Sequence, residues 1–493
     1  MSATFRNPAA IPIAEIPVLS FAVFRSCILD AVSGGSRVSA LFCHAPEGQE
    51  RRLFALLAHP GQNTLEAVTT RVGNTYPAMT PVCPQVHLFE REMAEQSSVI
   101  PLDHPWLKPV RFPNRPGAAP VGRTDFYTVE GDQVHEVAVG PVHAGIIEPG
   151  HFRFQCHGET VLHLEISLGY QHRGIERALV NGPDARTIHY METLAGDTTI
   201  GHTMAYCQLV EALGSIRLPL RAEALRAIAL ELERLANHTG DLGALAADIG
   251  YLPTASFCGR IRGDFLNMSA LLCGSRFGRG LVRPGGVAFD LESGRLQELK
   301  KRLTAAKRDV TGAVKLLWND PSVLARLEDT GRLSVEQCRE LGFVGPAARA
   351  TGMEQDVRAD LPFGYYRFFQ IPVASMPHGD VFARAYVRWI EIQRSLEFIL
   401  NTLSTLPEEH TSCDASSLHL EPHSLAVSLV EGWRGEICHV AITARDGKFA
   451  QYKVVDPSFH NWHGLAVAMR NGQISDFPLC NKSFNLSYCG FDL

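Results

Sequence analysis

The strongest constraint on the fold is a helical spacing of apolar residues that recurs in the second half of the chain. Within residues 221–245, apolar side chains stand at positions 225, 228, 229, 232, 235 and 236, the spacing of one helix face. Residues 293–317 and 380–403 are two further long helical candidates, and another helix is predicted through Tyr206. Four helices around one apolar core predict a helix bundle.

Short apolar runs separated by polar breaks occupy the first hundred residues. The runs cover residues 18–24, 37–43 and 52–57. Together with a helix predicted over residues 62–72, they indicate a small α+β domain. The tripeptide Glu90-Arg-Glu92 follows, and by itself it is typical of a solvated helix turn.

A proline-rich stretch separates this region from the rest of the chain. Four prolines and a glycine fall between residues 109 and 121, a composition that suits an extended connector. The sequence therefore predicts a small domain over residues 1–115, a linker over 116–133 and a large domain over 134–493.

The large domain begins and ends with strand-like alternation. Residues 134–168 alternate apolar and polar side chains, with a hairpin turn predicted at His157 and Gly158. Residues 414–423 are polar and predict a loop, whereas residues 435–455 alternate again. The predicted fold class is α+β, in which a mainly helical bundle carries an antiparallel β-sheet at its periphery.

Composition and short motifs exclude several classes of protein. The net charge is −6 and the basic residues are scattered, so nothing indicates a nucleic-acid partner. No apolar run reaches 18 residues and residues 1–15 lack a signal-peptide pattern, so we expect membrane association only through a partner. The 12 cysteines include no Cys-x-x-Cys pair, which argues against a disulfide framework and a local zinc or iron–sulfur site. The chain also lacks a nicotinamide-binding glycine fingerprint.

Several motifs stand in one order along more than half of the chain. They are Gly140-Pro-Val-His143, Gly169-Tyr-Gln-His-Arg-Gly-Ile-Glu176, Ala205-Tyr-Cys-Gln-Leu-Val-Glu211, Glu231-Leu-Glu-Arg234, Arg283-Pro-Gly-Gly-Val287, Gly379-Asp380 and Asp456-Pro-Ser-Phe459. In this order they resemble the family that unites the large subunit of nickel–iron hydrogenases with the quinone-site subunit of complex I. The small first domain is similar to the C-type peripheral subunit of complex I. Such a fusion most resembles the large subunits of hydrogenases of the formate hydrogenlyase and hydrogenase-4 type.

The resemblance implies a nickel–iron centre held by four cysteines, and this chain departs from that pattern. The first two ligand positions fall on Ala195 and Thr198, and the last two fall on Ser487 and Gly490. Cys489 misses the last position by one residue. Because such a centre needs soft thiolate ligands, we predict that this chain does not hold a normal nickel–iron centre.

The quinone chemistry of complex I is no better matched. Its quinone-contacting histidine and tyrosine fall on Ile147 and Gly196, and a histidine beside its terminal iron–sulfur cluster falls on Leu245. Arg173, by contrast, is retained at a position that approaches that cluster. The resemblance therefore implies that this chain retains the surface for an electron-carrying partner more fully than the residues of the nickel–iron centre or of the quinone site.

Two groups of candidate site residues lie in the first motifs, and each has a structural alternative. Glu148 and the nearby His143 are candidates for a proton- or electron-transfer surface, and Glu148 is the candidate proton relay because a partly buried carboxylate can have a raised pKa. The alternative is a carboxylate on a surface loop. His172 and Arg173 are candidates for stabilising negative charge on a partner's reduced cluster, and the alternative is a salt bridge with Glu176.

Two further candidates have mainly structural interpretations. His202 follows the missing cysteines and is expected to be a satisfied core histidine rather than a catalytic one. Asp380 and Arg388 stand at helical spacing, and we expect them to hold the bundle together, with catalysis by Asp380 as the alternative.

These observations predict a peripheral electron-transfer subunit of a membrane-bound oxidoreductase complex, at the cytoplasmic face of the inner membrane. The resemblance implies an iron–sulfur small subunit, which would hold the cluster, and antiporter-like membrane subunits as partners. No cofactor is assigned to this chain itself, and any binding of NAD is implied only by the family. Two alternatives remain open: a structural or coupling subunit without a reaction of its own, and a quinone-reducing subunit with a rearranged site. The sequence does not decide whether the chain is itself an enzyme.

Overall fold

The computed structural model describes residues 2–46, 50–113, 117–145, 147–413 and 418–493. In the first hundred residues, five strands form one sheet. Their order is Ala3–Phe5, Thr64–Arg71, Arg52–His59 and Arg37–His44, with Val18–Leu19 also paired to Thr64–Arg71. Helix Phe21–Ser33 packs against this sheet, and the Ser20 hydroxyl caps the helix by accepting a hydrogen bond from the backbone N–H of Val23.

Residues 62–72 were predicted as a helix, and that prediction was wrong. They form the strand Thr64–Arg71, which pairs along its whole length with Arg52–His59. Three threonines and a valine in this strand are β-branched, which favours a pleated surface over a helix. The apolar spacing of this segment is compatible with either a helix or a strand. Pairing with the neighbouring strand selects the strand.

The helix His87–Ser97 buries the tripeptide Glu90-Arg-Glu92 instead of exposing it on a solvated turn. Glu90 accepts hydrogen bonds from two backbone N–H groups. Glu92 accepts a hydrogen bond of 2.7 Å from the ammonium of Lys453, which lies in the last strand of the chain. This buried ion pair joins the first hundred residues to the end of the chain.

A second sheet combines strands from both ends of the chain. Its order is Phe449–Val455, Gly435–Thr443, Ser424–Gly432 and Ala9–Pro12. The buried Asn7 side chain holds the edge strand in place, because it donates to the carbonyl groups of Leu361 and Leu429 and accepts from the Leu429 N–H. A segment near the start of the chain therefore completes the sheet near its end.

The predicted domain division stays a prediction. Its boundary coincides with residues 114–116, which lie outside the described residues, as do residues 414–417 of the predicted loop. On the described part, the strand Ala9–Pro12 and the ion pair of Lys453 tie the two predicted domains together.

A third sheet and two short ribbons complete the β-structure of the described residues. The third sheet has the order Thr160–Ser167, His151–His157 and Val134–Val139, and the ribbons pair Val282–Arg283 with Gly286–Val287 and Thr75–Pro77 with Ile100–Leu102. The first two strands of this sheet form a hairpin whose turn is Gly158 and Glu159, one residue later than predicted, because His157 still pairs with Thr160. Gly158 has a φ of +57°, a conformation that glycine adopts without strain.

The helical part contains the predicted bundle with one correction. Its helices are Ile175–Ala178, Thr187–Met191, Thr199–Leu213, Leu220–Asp248, Leu252–Cys273, Ser293–Trp318, Pro321–Leu327, Val335–Leu341, Gly345–Arg349, Val357–Asp360, Val381–Ser404, Pro457–Ala468, Phe477–Phe484 and Tyr488–Asp492. The three long predicted helices are confirmed. The fourth long helix of the bundle is Leu252–Cys273, which the sequence prediction missed because its glycines and exposed Phe257 blur the apolar face.

The helix through Tyr206 has a different place from the one predicted. Thr199–Leu213 packs mainly on the strands Ser424–Gly432 and Gly435–Thr443 rather than within the bundle. All but one of its residues are buried. The chain is α+β, as predicted, and this helix lies between the sheet and the bundle. In the described residues, no helix combines the length and apolar character that crossing a bilayer requires.

Candidate functional site

The two segments that carry the four family ligand positions meet in the structure. Ala195 and Thr198 precede the helix Thr199–Leu213, while Ser487 and Gly490 lie at the helix Tyr488–Asp492. All four residues are buried. Their proximity makes this place the candidate functional site.

Arg173 joins these two segments. Its guanidinium donates hydrogen bonds to the carbonyl oxygens of Thr193 at 2.9 Å, Leu194 at 2.8 Å and Cys489 at 3.0 Å. The Arg173 side chain is nevertheless exposed to solvent. The arginine that the sequence singled out is therefore a fixed positive charge at the surface above the site.

Thr198 is saturated with hydrogen bonds. Its hydroxyl accepts from the indole N–H of Trp433 at 3.1 Å and from the guanidinium of Arg434 at 3.3 Å, and it donates to the carboxylate of Asp197 at 3.1 Å. Thr198 is also only 2% exposed. The hydroxyl at this position therefore serves as a hydrogen-bonding centre.

An ion pair of Asp197 and Arg434 stands beside this hydroxyl. The guanidinium of Arg434 donates to both Asp197 carboxylate oxygens, at 2.6 and 2.8 Å, which is the strong bidentate geometry. It also lies 3.8 Å from the ring centroid of Trp433. The pair places a fixed, compensated charge between the two segments.

His202 is a core histidine, in agreement with its structural interpretation, and it belongs to a longer hydrogen-bonded chain. Its Nε2 lies 3.0 Å from the Asp456 carboxylate and its Nδ1 lies 3.1 Å from His439 Nε2. His439 Nδ1 in turn lies 2.8 Å from the Tyr452 hydroxyl. Burial raises the pKa of Asp456, but the hydrogen bond from His202 and the charge of Arg434 outweigh it, so the pKa lies below its ordinary value.

The two C-terminal ligand positions are also occupied by structural contacts. The Ser487 hydroxyl caps the helix Tyr488–Asp492 by accepting a hydrogen bond of 2.9 Å from Gly490 N–H. A Cβ added at Gly490 would lie 2.7 Å from Oδ2 of Asp456, which is inside van der Waals contact. The position at Gly490 therefore has no space for a cysteine side chain unless Asp456 moves.

These residues do not fit a nickel–iron centre. The four family positions supply no thiolate, whereas such a centre depends on soft sulfur donors. Cys489 is the nearby thiol, and burial, followed by the neighbouring Glu148 carboxylate, raises its pKa, which disfavours the thiolate form. Among the residues that the structure describes, no group of three or more His, Cys, Asp or Glu side chains is arranged to hold a metal ion.

The structure brings Glu148 to the site and leaves His143 in its loop. Glu148 is half-buried. Burial is the main cause that raises the pKa of Cys489 and Asp492, and the nearby Glu148 carboxylate adds to the rise in both groups. His143 Nε2 donates to the carbonyl oxygen of Gly150 at 2.9 Å, which closes the loop. Glu148 is therefore the candidate with a place beside the C-terminal segment.

His172 and Arg173 do not form the salt bridge with Glu176 that was the alternative prediction. Glu176 instead pairs with Lys453 at 3.0 Å and with Arg111 at 3.5 Å, because those cations are buried beside it. His172 Nδ1 donates to the carbonyl oxygen of Asp492 at 2.7 Å. This loop therefore binds the C-terminal segment rather than its own glutamate.

Asp380 caps the helix Val381–Ser404. Its carboxylate accepts hydrogen bonds from the backbone N–H groups of Ala383 at 2.7 Å and Asp329 at 2.9 Å. Arg388 pairs with Asp241 at 2.8 Å and donates to the carbonyl oxygen of Ser483 at 2.6 Å. Both residues hold elements of the bundle together.

Sequence reasoning missed most of the polar residues around the site. Asp197, Trp433, Arg434 and His439 were not singled out, although Asp197 lies between two of the family ligand positions. Asp456 was quoted only as part of a family motif. An aspartate directly before a proline is a helix-start signal, and its carboxylate does cap the helix Pro457–Ala468.

A cavity of about 770 Å³ opens beside the site, between the first sheet and the loop that carries Arg173. Its volume is in the range of small-molecule pockets. The polar and aromatic residues of its lining include His44, His172, Arg173, Arg177, Gln451 and Tyr452. Tyr452, a residue of this lining, is buried and has its hydroxyl 2.8 Å from His439 Nδ1 in the hydrogen-bonded chain of His202.

Comparison with known proteins agrees with the predicted resemblance. Residues 248–426 match the family described as "Respiratory-chain NADH dehydrogenase, 49 Kd subunit". Formate hydrogenlyase subunit 5 of Escherichia coli (strain K12) is 30% identical over 434 residues, which are 84% of this chain and 76% of the relative.

Two further relatives come from both branches of the resemblance. The carbon monoxide-induced hydrogenase of Rhodospirillum rubrum is 30% identical over 358 residues, 71% of this chain and 97% of the relative. A D-type NADH-quinone oxidoreductase subunit of Solibacter usitatus (strain Ellin6076) is 30% identical over 321 residues, 65% of this chain and 86% of the relative. The chain therefore belongs to the family that unites the large subunits of membrane-bound hydrogenases with the 49 kDa subunits of the respiratory NADH dehydrogenase.

Proposed function

We propose that this chain is the electron-receiving subunit of a membrane-bound, hydrogenase-like or complex I-like oxidoreductase, and that it works without a nickel–iron centre. The observation that carries this proposal is the filling of the site. Thr198 and Ser487 are engaged in structural hydrogen bonds, and Gly490 lies against Asp456. This arrangement supports a site that has lost the metal and has been repacked with protein groups.

The partner in this proposal is an iron–sulfur small subunit that docks over Arg173. The guanidinium is exposed, but three carbonyl oxygens hold its orientation. A fixed guanidinium can stabilise negative charge that reduction adds to a cluster in the partner. One relative is a "Membrane-bound hydrogenase subunit alpha", which supports membrane subunits as further partners. Our proposal makes these partners antiporter-like and places the chain at the cytoplasmic face of the inner membrane.

Metal analysis of the purified complex tests this proposal. The complex is isolated through a tag on this chain, and nickel is measured per subunit, with the complex of Escherichia coli formate hydrogenlyase subunit 5 prepared in parallel as a comparison. We expect no stoichiometric nickel in the complex of this chain. One nickel per subunit would overturn the proposal.

The same contacts support a second candidate, a coupling subunit without a reaction of its own. The guanidinium of Arg173 and the ring of His172 both have structural partners. In that case Arg173→Ala and Glu148→Ala would leave electron transfer intact in complexes whose assembly has been verified. A collapse of turnover with assembly preserved would instead support electron reception at this face.

The cavity of about 770 Å³ supports a third candidate, reduction of a quinone at a rearranged site. The volume is in the range of small-molecule sites, and the lining combines polar groups such as His44 and Gln451 with apolar residues such as Pro46 and Val180. A quinone analogue should then inhibit turnover, and Ala450→Leu, which narrows the cavity, should weaken the inhibition. Absence of inhibition at saturating analogue would remove this candidate.

A further inference from the structure

The long helix Ser293–Trp318 carries a large share of the positive charge of this protein. It contains seven basic residues and two acidic ones, whereas the whole chain has a net charge of −6. Although basic residues are scattered over the chain as a whole, this helix holds four of its eight lysines, namely Lys300, Lys301, Lys307 and Lys315. The helix is therefore a positive segment in a negative protein.

The four lysines share one side of the helix. Its buried face consists of Leu299, Leu303, Ala306, Val310, Ala313, Val314 and Leu317. Successive residues turn by about 100° around the helix axis, so the lysines fall within an arc of about 120° that does not overlap the buried face. Lys301 and Lys315 are exposed, and Lys300 and Lys307 are half-buried. The lysine side thus extends over about 22 Å of the helix axis.

The charges of these lysines are not compensated within the protein. The two carboxylates of the helix already pair with arginines, because Glu298 accepts from Arg302 at 2.7 Å and Asp309 accepts from Arg260 at 2.8 Å. Among the residues that the structure describes, none of the four lysines has an ion-pair partner. Three of the four lysines elsewhere in the chain do have a carboxylate within 2.7 Å, namely Lys108, Lys453 and Lys482. Uncompensated lysine charge is therefore concentrated on this helix.

A row of uncompensated lysines suits an anionic surface whose charges are mobile. An ammonium is a point charge on a flexible stem, without the rigid fork by which arginine recognises a single carboxylate. Between the lysines the helix exposes Thr304, Ala305 and Gly312, which are too small to fill a pocket on a protein partner as interface anchors do. A layer of anionic lipid headgroups requires neither a fork nor an anchor, so it matches this side of the helix better than a folded protein does.

We propose that the lysine side of the helix Ser293–Trp318 binds the anionic headgroups of a membrane directly, in addition to any attachment through partner subunits. This inference rests on the proposed function in taking the complex to be membrane-bound. Groups of four or more basic residues on an amphipathic helix bind anionic lipid, and each lysine near the surface strengthens binding about fivefold. The attraction falls off within a Debye length, so salt weakens it. Such a helix lies on the membrane and does not cross it.

Lipid binding at this helix uses other elements than the docking of an iron–sulfur partner. The helix packs on the helices Leu252–Cys273 and Val381–Ser404. The partner in our proposal docks over Arg173, which precedes the short helix Ile175–Ala178. Both contacts can therefore be tested separately.

Flotation of the purified full-length chain with lipid vesicles tests the contact. One set of vesicles contains equal parts of phosphatidylglycerol and phosphatidylcholine, and the other contains phosphatidylcholine alone. At low ionic strength the wild type should float with the first set only, and high salt should release it. Lys301→Gln with Lys315→Gln removes two charges and keeps the helix propensity, so it should weaken binding about 25-fold. Replacing all four lysines by glutamine should weaken it about 600-fold.

Arg445→Gln with Lys448→Gln is the matched control, because it removes two exposed positive charges from the turn that follows the strand Gly435–Thr443. It should float like the wild type. The lipid contact would be overturned if the wild type did not bind, if it bound both vesicle sets equally, or if the control lost as much binding as Lys301→Gln with Lys315→Gln.

A different result would identify a protein interface instead. If the lysine variants floated like the wild type but lost a subunit from the purified complex, this side of the helix would bind an acidic protein, and the lipid contact would be overturned. Nickel in the purified complex would overturn the proposed function and leave the flotation result unchanged, so the two failures are distinguishable.

Discussion

Gly490 lies against the carboxylate of Asp456 so closely that a Cβ on the glycine would be 2.7 Å from the carboxylate oxygen Oδ2. Asp456 cannot easily withdraw, because His202 and the Ser458 N–H hold its two oxygens at 3.0 and 2.8 Å. The contact couples the last family ligand position to the buried chain of histidines. Any side chain at position 490 must therefore disturb that chain.

Replacing this glycine should destabilise the protein. Gly490→Ala forces Asp456 or the helix Tyr488–Asp492 to move, and overpacking of this kind lowers the free energy of unfolding by ~1–3 kcal/mol. Denaturant unfolding of the purified chain measures the loss. Gly312→Ala is the matched control, because Gly312 lies in the helix Ser293–Trp318 with open space around it. Alanine there should raise the free energy of unfolding by ~0.5–1 kcal/mol. Equal stabilisation by both substitutions would contradict the close contact.

Replacing only Arg434 of the Arg434–Asp197 ion pair should lower the free energy of unfolding more than replacing both residues. Arg434→Met leaves the Asp197 carboxylate without its partner, and we expect a loss of about 2 kcal/mol in the free energy of unfolding. This lies below the ~3–5 kcal/mol of fully buried pairs, because the Asp197 side chain is 36% exposed. The double variant Arg434→Met with Asp197→Asn should recover part of the loss.

A double-mutant cycle provides the check on this pair. Urea unfolding of the wild type, both single variants and the double variant gives the coupling energy directly. Strict additivity of the two single changes would show that the pair seen at 2.6 and 2.8 Å contributes nothing to stability.

Local patterns explain what the sequence could predict. The long helices followed from apolar spacing within each segment, whereas the assignment of the four family ligand positions from short motifs stays a prediction. The partners of those positions could not be predicted in this way, because Arg434 is 237 residues from Asp197 and His439 is 237 residues from His202. No local spacing encodes such pairs. The helix predicted over residues 62–72 was wrong for the same reason, because the strand Thr64–Arg71 forms by pairing with Arg52–His59.

Stability should depend on pH through His463, which contacts His87 and Trp106. Burial, and then the charges of Arg470, Arg91 and His163, lowers the pKa of His463 to about 4. Because the unfolded histidine has a pKa near 6.5, the unfolded state binds the proton more strongly. The contribution of His463 to stability is therefore complete above about pH 6.5 and is lost as the pH falls towards 4.

His463→Phe should remove this pH dependence and keep a ring in the contact. Relative to the wild type, the variant should gain up to ~3 kcal/mol in the free energy of unfolding between pH 7 and pH 4.5. Urea unfolding at several pH values measures the difference. His135→Gln, on the exposed face of the strand Val134–Val139, serves as the control and should run parallel to the wild type. A pH-independent difference between His463→Phe and the wild type would contradict the low pKa.

Asn7, near the start of the chain, should contribute to the free energy of unfolding through its contacts with distant residues. Its amide group, 4% exposed, bonds the carbonyl oxygens of Leu361 and Leu429 and the N–H of Leu429. Asn7→Ala leaves these buried groups without that partner, so we expect a loss of ~1–3 kcal/mol and faster hydrogen exchange in the strands Ala9–Pro12 and Ser424–Gly432. Asn74→Ala, which removes an exposed hydrogen bond with Arg51, should stay within ~0.5 kcal/mol of the wild type. The strand Ala9–Pro12 joins the sheet on which the helix of His202 packs. Equal losses in the free energy of unfolding for Asn7→Ala and Asn74→Ala would mean that this sheet, and the site above it, do not need the contacts of Asn7.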